Sequence, residues 1–340
     1  MVQTKYDVVG IGNAIVDILA YTDDAFLEKH GLHKGAMTLV DKKKAKELYD
    51  DMGTATECSG GSAANTIVGI AELGGRTAFI GKVKDDQFGD IFCHDMKNVG
   101  TDFPCSRSTK GKPTAHCLVF VTHEGESKIK GKNAERTMAT YLGASTEISS
   151  DDIDPEVIKA AKVILMEGYL WDQEASKVAC MKAVNIAHDY GRKVAFTLSD
   201  PFCVERHREE FLKHVEQNVD ILFANESEAQ ALLQENDLRK IIFKLSNMCE
   251  IAAITRGSNG SIIVTSSGEM YTCEAEKVEE IFDVTGAGDL YAAGFLYGYV
   301  NDFDKEKCAK LGSMCAAEVI KFLGARPLTD ISELVPIVVG

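Results

Sequence analysis

From residue 163 onward, short apolar runs rich in β-branched residues alternate with longer amphipathic stretches. The strand-like runs are Val163–Met166, Lys193–Leu198, Ile221–Ala224 and Ile251–Thr255; the helix-like stretches between them are Asp172–Tyr190, closed by Gly191, then Arg206–Asn218 and Glu226–Gln234. Fully apolar strands separated by helices imply a mainly parallel sheet covered on both faces, because a parallel connection needs a crossover long enough to hold a helix. Two further strand-like runs, Ser261–Thr265 and Glu269–Cys273, are joined by a Ser-Gly turn, and two helices, Ala287–Val300 and Asp304–Phe322, end the pattern. The first half contributes strands at Tyr6–Gly10, Thr77–Gly81 and Ala115–Val121, with helices at Asp41–Asp51, Ser62–Leu73 and Asp86–Asn98. The fold class expected is α/β, a doubly wound and mainly parallel sheet, whose ligands bind beyond the C-terminal ends of the strands. Two stretches break the alternation, about Ala14–Gly60 and Pro113–Lys132. They are expected to form a small β lid, residues 14–60 and 113–132, on a large domain of residues 1–13, 61–112 and 133–340. His123–Asn133 reads as an exposed hairpin tip.

Composition narrows the function. With 340 residues and a formal net charge of −15, the chain has the length for a large core and the wrong sign for nucleic acid or an anionic membrane surface. No apolar run approaches the ~18 residues of a membrane span. The 10 cysteines include no C-x-x-C pair and no zinc spacing, so they read as reduced, mostly buried small hydrophobes in a cytoplasmic protein. A monomer or homodimer acting on small molecules is expected.

The sharpest local signal is Asp283-Val284-Thr285-Gly286-Ala287-Gly288-Asp289 ahead of an apolar helix. Glycines at a helix start let the backbone approach a ligand, and the freed amides with the helix dipole make an anion site. A carboxylate beside an anion site is repelled by phosphate. It makes sense as the acceptor of a proton from a hydroxyl attacking that phosphate. In Gly60-Gly61-Ser62-Ala63-Ala64-Asn65, the glycine pair permits close approach, and Ser62 and Asn65 can bond a polyhydroxylated ligand, although Ser62 also suits a plain helix cap. Gly10-x-Gly12 after a strand suggests a dinucleotide fingerprint, but Ile15 replaces the third glycine and IVDILAY alternates like a strand, so the context fails. Asp17, isolated in that strand, is instead a carboxylate suited to paired hydroxyls. Asn225 and Glu228 lie one helical turn apart after a strand; they suit Mg²⁺ held through water, and equally a capping box. Thr255 and Gly257 end another strand at a turn. Phosphate-loop, zinc-protease and serine-elbow motifs are absent.

In this order the strings resemble the ribokinase-like (phosphofructokinase-B type) carbohydrate kinase family, from about Asp7 to Pro327. DVTGAGD and GGSAAN, with GRTAFIGKVKDDQFG from Gly75 to Gly89, match its two signatures; GNAIVDI, LSDPF and VDILFANESEA look most similar to its adenosine kinase branch. The resemblance implies a ribokinase-like core with a β lid, and transfer of the ATP γ-phosphoryl group to the 5′-hydroxyl of a purine ribonucleoside, adenosine above others, with Mg²⁺ as cofactor. It implies Asp289 as general base and the amides of Gly286, Ala287 and Gly288 as anion hole. Arg136 looks like the lid arginine that meets the transferred phosphate. Asn13, Asp17, Gly60, Gly61, Ser62 and Asn65 match acceptor-binding positions, with Met37, Leu39, Tyr169, Leu170 and Phe202 around the base. Asn225, Glu228, Thr255 and Gly257 match the nucleotide side, Glu228 reaching the metal through water. The alternatives are a ribose- or fructose-type sugar kinase on the same fold, a nicotinamide-dependent dehydrogenase, and a catalytically inactive nucleotide-binding module.

Overall fold

The computed structural model describes residues 4–104, 107–123 and 134–340. The strands, in chain order, are β1 (Tyr6–Ile11), β2 (Ile15–Tyr21), β3 (Met37–Leu39), β4 (Ala55–Gly60), β5 (Thr77–Ile80), β6 (Ala115–His123), β7 (Ala134–Tyr141), β8 (Ala161–Glu167), β9 (Lys193–Thr197), β10 (Ile221–Asn225), β11 (Ile251–Thr255), β12 (Ser261–Thr265) and β13 (Met270–Cys273). Eight of them form one sheet in the order β13-β12-β11-β10-β9-β8-β1-β5. It is parallel from β5 to β11 and turns antiparallel at β12 and β13. That is the expected doubly wound α/β sheet.

Alternate residues of the central strands feed two cores, as the two-residue period of a strand dictates. Val8, Val163 and Leu165 pack with the helices Ser62–Glu72, Ala287–Val300 and Lys305–Val319 on one face. Val9, Ile164 and Met166 pack with Glu174–Asp189, Pro201–Asn218 and Glu226–Leu233 on the other. Ala287–Val300 is apolar all round, as a helix wedged between the sheet and a second helix must be.

The other five strands form a second sheet in the order β3-β7-β6-β2-β4. Its Ala134–Tyr141 strand lies beyond residue 132, where the lid was expected to end, because it pairs antiparallel with Ala115–His123. The expected hairpin tip between these two strands lies largely outside the described residues. In β2 burial alternates: Val16, Ile18 and Ala20 are buried, while Ile15, Asp17 and Leu19 face the opposite way and are partly open.

Candidate active site

Parallel strands leave their C-terminal ends on one edge, and the expected site residues gather there. Asn13 follows β1, Glu167 ends β8, Asn225 ends β10 and Thr255 ends β11, with Asn225 and Thr255 directly opposed in register. The 283–289 loop stands beside this edge. Gly286 caps the helix Ala287–Val300 with φ of 77°, a left-handed value that glycine adopts without strain. A Cβ there would also meet Ala325 Cα at 2.8 Å. This turn draws the Ala287 N–H onto the Val284 carbonyl at 3.2 Å. Ala287 is therefore withdrawn from the anion hole expected of it, since its donor closes the loop.

Asp289 sits in the first turn of that helix, partly exposed. Ser62 Oγ donates to its Oδ1 at 2.7 Å, and Asn65 Nδ2 to its Oδ2 at 2.9 Å. Burial raises its carboxyl above the ordinary range, opposed by those two hydrogen bonds and by the charge of Arg326. The motifs GGSAAN and DVTGAGD thus meet through three side chains. Asn65 Oδ1 is buried without a partner. Gly61 has φ of 100°, and a Cβ on it would stand 2.2 Å from the Asn13 carbonyl oxygen. On Gly60 a Cβ would stand 2.3 Å from Asp17 Oδ2. Only glycines let the lid strand leave the core this close to Asn13 and Asp17.

The inner face of the lid follows from register. Residues paired directly across neighbouring strands share a face, so Leu39, Thr140, Cys117, Asp17 and Cys58 form one row, and Met37, Met138, Val119, Leu19 and Thr56 the next. Arg136, opposite Val121, reaches from that face to the loop, where Nη1 donates to Asp283 Oδ2 at 2.5 Å and to Thr285 Oγ1. Its Nε is buried without a partner. Arg136 therefore stands against the 283–289 loop, held by Asp283 and Thr285. Burial pushes the Asp17 carboxyl up to about 6, with Arg136 and Arg326 opposing, and Asp289 and Asp283 adding to, the rise. Met37 and Leu39 are 52% and 59% exposed on the lid edge strand.

One assignment around the base changes, that of Leu170. Leu170 is 1% exposed and packed in the core with Trp171. Gly168–Asp172 is a tight 3-10 turn, so neighbouring side chains diverge: Tyr169 stays half-buried near Asp200 while Leu170 turns inward. Phe202, 72% exposed at the start of its helix, packs against neither core.

At the end of β10, Asn225 and Glu228 make the capping box the sequence also allowed. Asn225 N–H and Nδ2 donate to Glu228 Oε2 and Oε1 at 2.9 and 2.6 Å, and Glu228 N–H donates to Asn225 Oδ1 at 2.8 Å. Burial lifts the Glu228 carboxyl to about 7. With both oxygens engaged, it fits a cation bridged by water and not a direct ligand. Among the described residues no cluster of three or more His, Cys, Asp or Glu side chains could hold a metal outright. Gly257, with φ of 55° and open space where a Cβ would be, and Thr255 lie at the next strand end. Arg256 Nε ties this turn to Glu226 at 3.0 Å.

Sequence reading missed Glu167 and Arg326. Glu167 is fully buried; its Oε1 accepts from Asn13 N–H and Nδ2 at 2.9 and 2.7 Å, its Oε2 from Ala63 N–H at 2.8 Å. It pins Asn13 to the start of the helix that carries Ser62 and Asn65. A charged residue closing the apolar run Val163–Met166 was its only sign.

Residues 35–331 match the model of the pfkB family carbohydrate kinases. The adenosine kinase from Sinorhizobium meliloti is 46% identical with a TM-score of 0.88, covering 98% of this chain and 99% of that one. A probable sugar kinase from Rhizobium etli is 43% identical with a TM-score of 0.89 at the same coverage. A 5-dehydro-2-deoxygluconokinase of Listeria monocytogenes is 27% identical over 327 residues, 94% of this chain and 91% of that protein. With its signature loops joined through Asp289, Ser62 and Asn65, the chain belongs to the pfkB family of carbohydrate kinases.

Proposed function

We propose that the protein transfers the γ-phosphoryl group of ATP to the 5′-hydroxyl of a purine ribonucleoside, with adenosine, giving AMP, as the acceptor that fits best. The observation that carries this reading is the inner face of the lid. Beside Asp17 it carries Leu39, Cys117, Cys58 and Thr140, whose Oγ1 donates to Cys117 Sγ at 3.2 Å, and in the next row Met37, Met138 and Thr56, with Val119 and Leu19 packed beneath Leu323. Burial pushes the Cys58 and Cys117 thiols up to about 12, so both stay neutral. One carboxylate on a mostly apolar face, its Thr140 hydroxyl already donating to Cys117, suits a ligand with a single diol and a flat apolar remainder. A sugar acid such as 5-dehydro-2-deoxygluconate would need a cation for its carboxylate. Among the described side chains of this face the one cation is Arg136, which lies against the 283–285 loop and is needed there for the transferred phosphate. A sugar acceptor is the second reading, favoured by the Listeria relative.

In this reading Asp17 holds the ribose hydroxyls, and Asn65, buried with its Oδ1 unpartnered, supports Asp289 beside them. Asp289 accepts the proton of the 5′-hydroxyl as its oxygen attacks the γ-phosphorus in line. Its raised carboxyl, pushed up by burial against the hydrogen bonds of Asn65 and Ser62, brings the base nearer in affinity to that proton. Free amides at Gly286 and Gly288, and Arg136 once released from Asp283, stabilise the equatorial oxygens. A magnesium ion bridged by water to Glu228 would neutralise phosphate charge. Thr255 and Gly257 line the nucleotide side.

The test is an ADP-release and thermal-shift panel with Mg-ATP against adenosine, ribose and 5-dehydro-2-deoxygluconate. Turnover and stabilisation with adenosine alone are expected. Preference for either sugar would overturn the acceptor assignment and leave the family untouched.

A further inference from the structure

Four consecutive residues, Leu323 to Arg326, touch three separate parts of the site. Leu323 packs on the inner lid face with Leu19, Val119 and Val121. Gly324 N–H donates to Asp283 Oδ2 at 2.8 Å, on the carboxylate oxygen that also receives Arg136. Ala325 fills the space where a Cβ on Gly286 would be. Arg326 then reaches across the base of the lid. Its Nη2 donates to the Ser59 carbonyl at 3.0 Å and to Ser59 Oγ at 2.9 Å, its Nε to the same carbonyl at 3.3 Å, and its Nη1 to the Ala64 carbonyl at 3.5 Å. Ser59 is 1% exposed and held from behind, its N–H and Oγ donating to Asp95 Oδ2 at 2.8 and 2.5 Å.

Ser59 belongs to the lid strand, and Ala64 to the helix that bears Ser62 and Asn65. Between them lies the Gly60–Gly61 pair. A guanidinium presents its donors in a rigid planar fork, so two carbonyls bonded to one guanidinium are fixed relative to each other. A lysine ammonium is a point charge and cannot impose that.

We propose that Arg326 is a positioning residue for phosphoryl transfer, its fork bridging both sides of the Gly60–Gly61 hinge while Gly324 and Ala325 rest on the anion loop, so that lid and loop are held in one register. The idea rests on the kinase reaction and not on which acceptor is used.

Arg326 also carries charge toward the site. It opposes the burial that raises Asp17, Asp289 and Glu72. The other groups facing Asp17 are Arg136, Asp283 and Asp289; those bonded to Asp289 are Ser62 and Asn65. Removing the cation therefore moves the acidic limb of the pH profile upward.

The test compares full-length Arg326→Gln and Arg326→Lys with the wild type by hydrogen exchange in peptides covering 55–66 and 283–290. It is joined to kcat/KM against pH, with whichever acceptor the wild type phosphorylates. In Arg326→Gln, exchange about tenfold faster in both segments, the loss of one or two charge-assisted hydrogen bonds, is expected together with an acidic limb shifted to higher pH. Arg326→Lys is expected to keep the limb near the wild-type position but not the slow hinge exchange. Wild-type exchange in Arg326→Lys, or faster exchange in Arg326→Gln at the hinge with none at the loop, would overturn the proposal. If Arg326→Gln fails to fold, the lysine variant decides alone. The exchange arm needs no acceptor, so inactivity toward adenosine refutes the acceptor assignment without touching this result.

Discussion

Asp289→Asn separates proton acceptance from everything else the carboxylate does. Asp289 accepts two hydrogen bonds, from Ser62 Oγ and from Asn65 Nδ2. An asparagine can keep both: its Oδ1 faces the Asn65 amide, and its Nδ2 donates to Ser62, whose hydroxyl rotates to accept. Because burial raises the native carboxyl, the neutral amide also escapes a desolvation cost. Unfolding free energy should therefore stay within about 1 kcal/mol of the wild type, the worth of one rearranged hydrogen bond. ATP affinity, which depends on the loop backbone, should be unchanged. What is lost is the base, worth roughly 10²–10⁴ in kcat, or about 2.7–5.4 kcal/mol of barrier. Asp289→Ala is the contrast, since it strands the Ser62 and Asn65 donors and should cost stability as well as rate. Steady-state ADP release, ATP titration and urea denaturation measure the three quantities. Turnover within a few-fold of the wild type in Asp289→Asn would refute the role of Asp289 as base. A large loss of stability would refute the hydrogen-bond reasoning.

Asp17, with its carboxyl at about 6, should impose a limb on acceptor kcat/KM that falls about tenfold per pH unit below that value; Asp17→Asn should remove the limb and raise acceptor KM more than ATP KM. Leu170→Ala should lower unfolding free energy by about 2–4 kcal/mol while leaving acceptor KM within about twofold, since the side chain is buried among core residues; a KM effect without a stability effect would restore it to the base pocket. The ligand-free protein should melt higher at pH 5.5 than at pH 8. Glu72, Glu167 and Glu228 all sit near 7 when folded, against 4.5 as the ordinary value, so the folded state binds more protons across that window and its stability falls as pH rises through it. A melting temperature flat or rising from pH 5.5 to 8 would show these carboxyls to be ordinary.

The large sheet was legible because burial on both faces leaves long apolar runs no other solution. Ile251–Thr255, Ser261–Thr265 and Ala287–Val300 fall at the expected residues. The lid was less so. In Ala134–Tyr141, Arg136 faces inward toward Asp283, while Thr137 is fully buried, a polar residue in a core position. No clean alternation survives that, and the strand was assigned to the large domain. The helix Leu238–Ser246 was legible and went unassigned: Leu238, Ile241, Ile242 and Leu245 fall at i, i+3, i+4 and i+7 behind an Asp237 cap, and all four pack on one core.

At the site the same division has a chemical cause. Left-handed turns and close backbone approach demand glycine; so Gly61 and Gly286, with φ of 100° and 77°, announce themselves in sequence. A carboxylate or guanidinium that only orients such a loop is under no local constraint. Ser62 and Asn65 meet Asp289 across sequence separations of 227 and 224 residues, and Arg326 meets Ser59 across 267. Nothing near Arg326 in the chain marks it, because its partners are main-chain carbonyls that every residue carries. The residues that perform chemistry are thus legible from their neighbours in sequence. Those that hold the chemistry in place are legible only from their neighbours in space, and substitutions at Glu167 or Arg326 should be more damaging than any local motif would suggest.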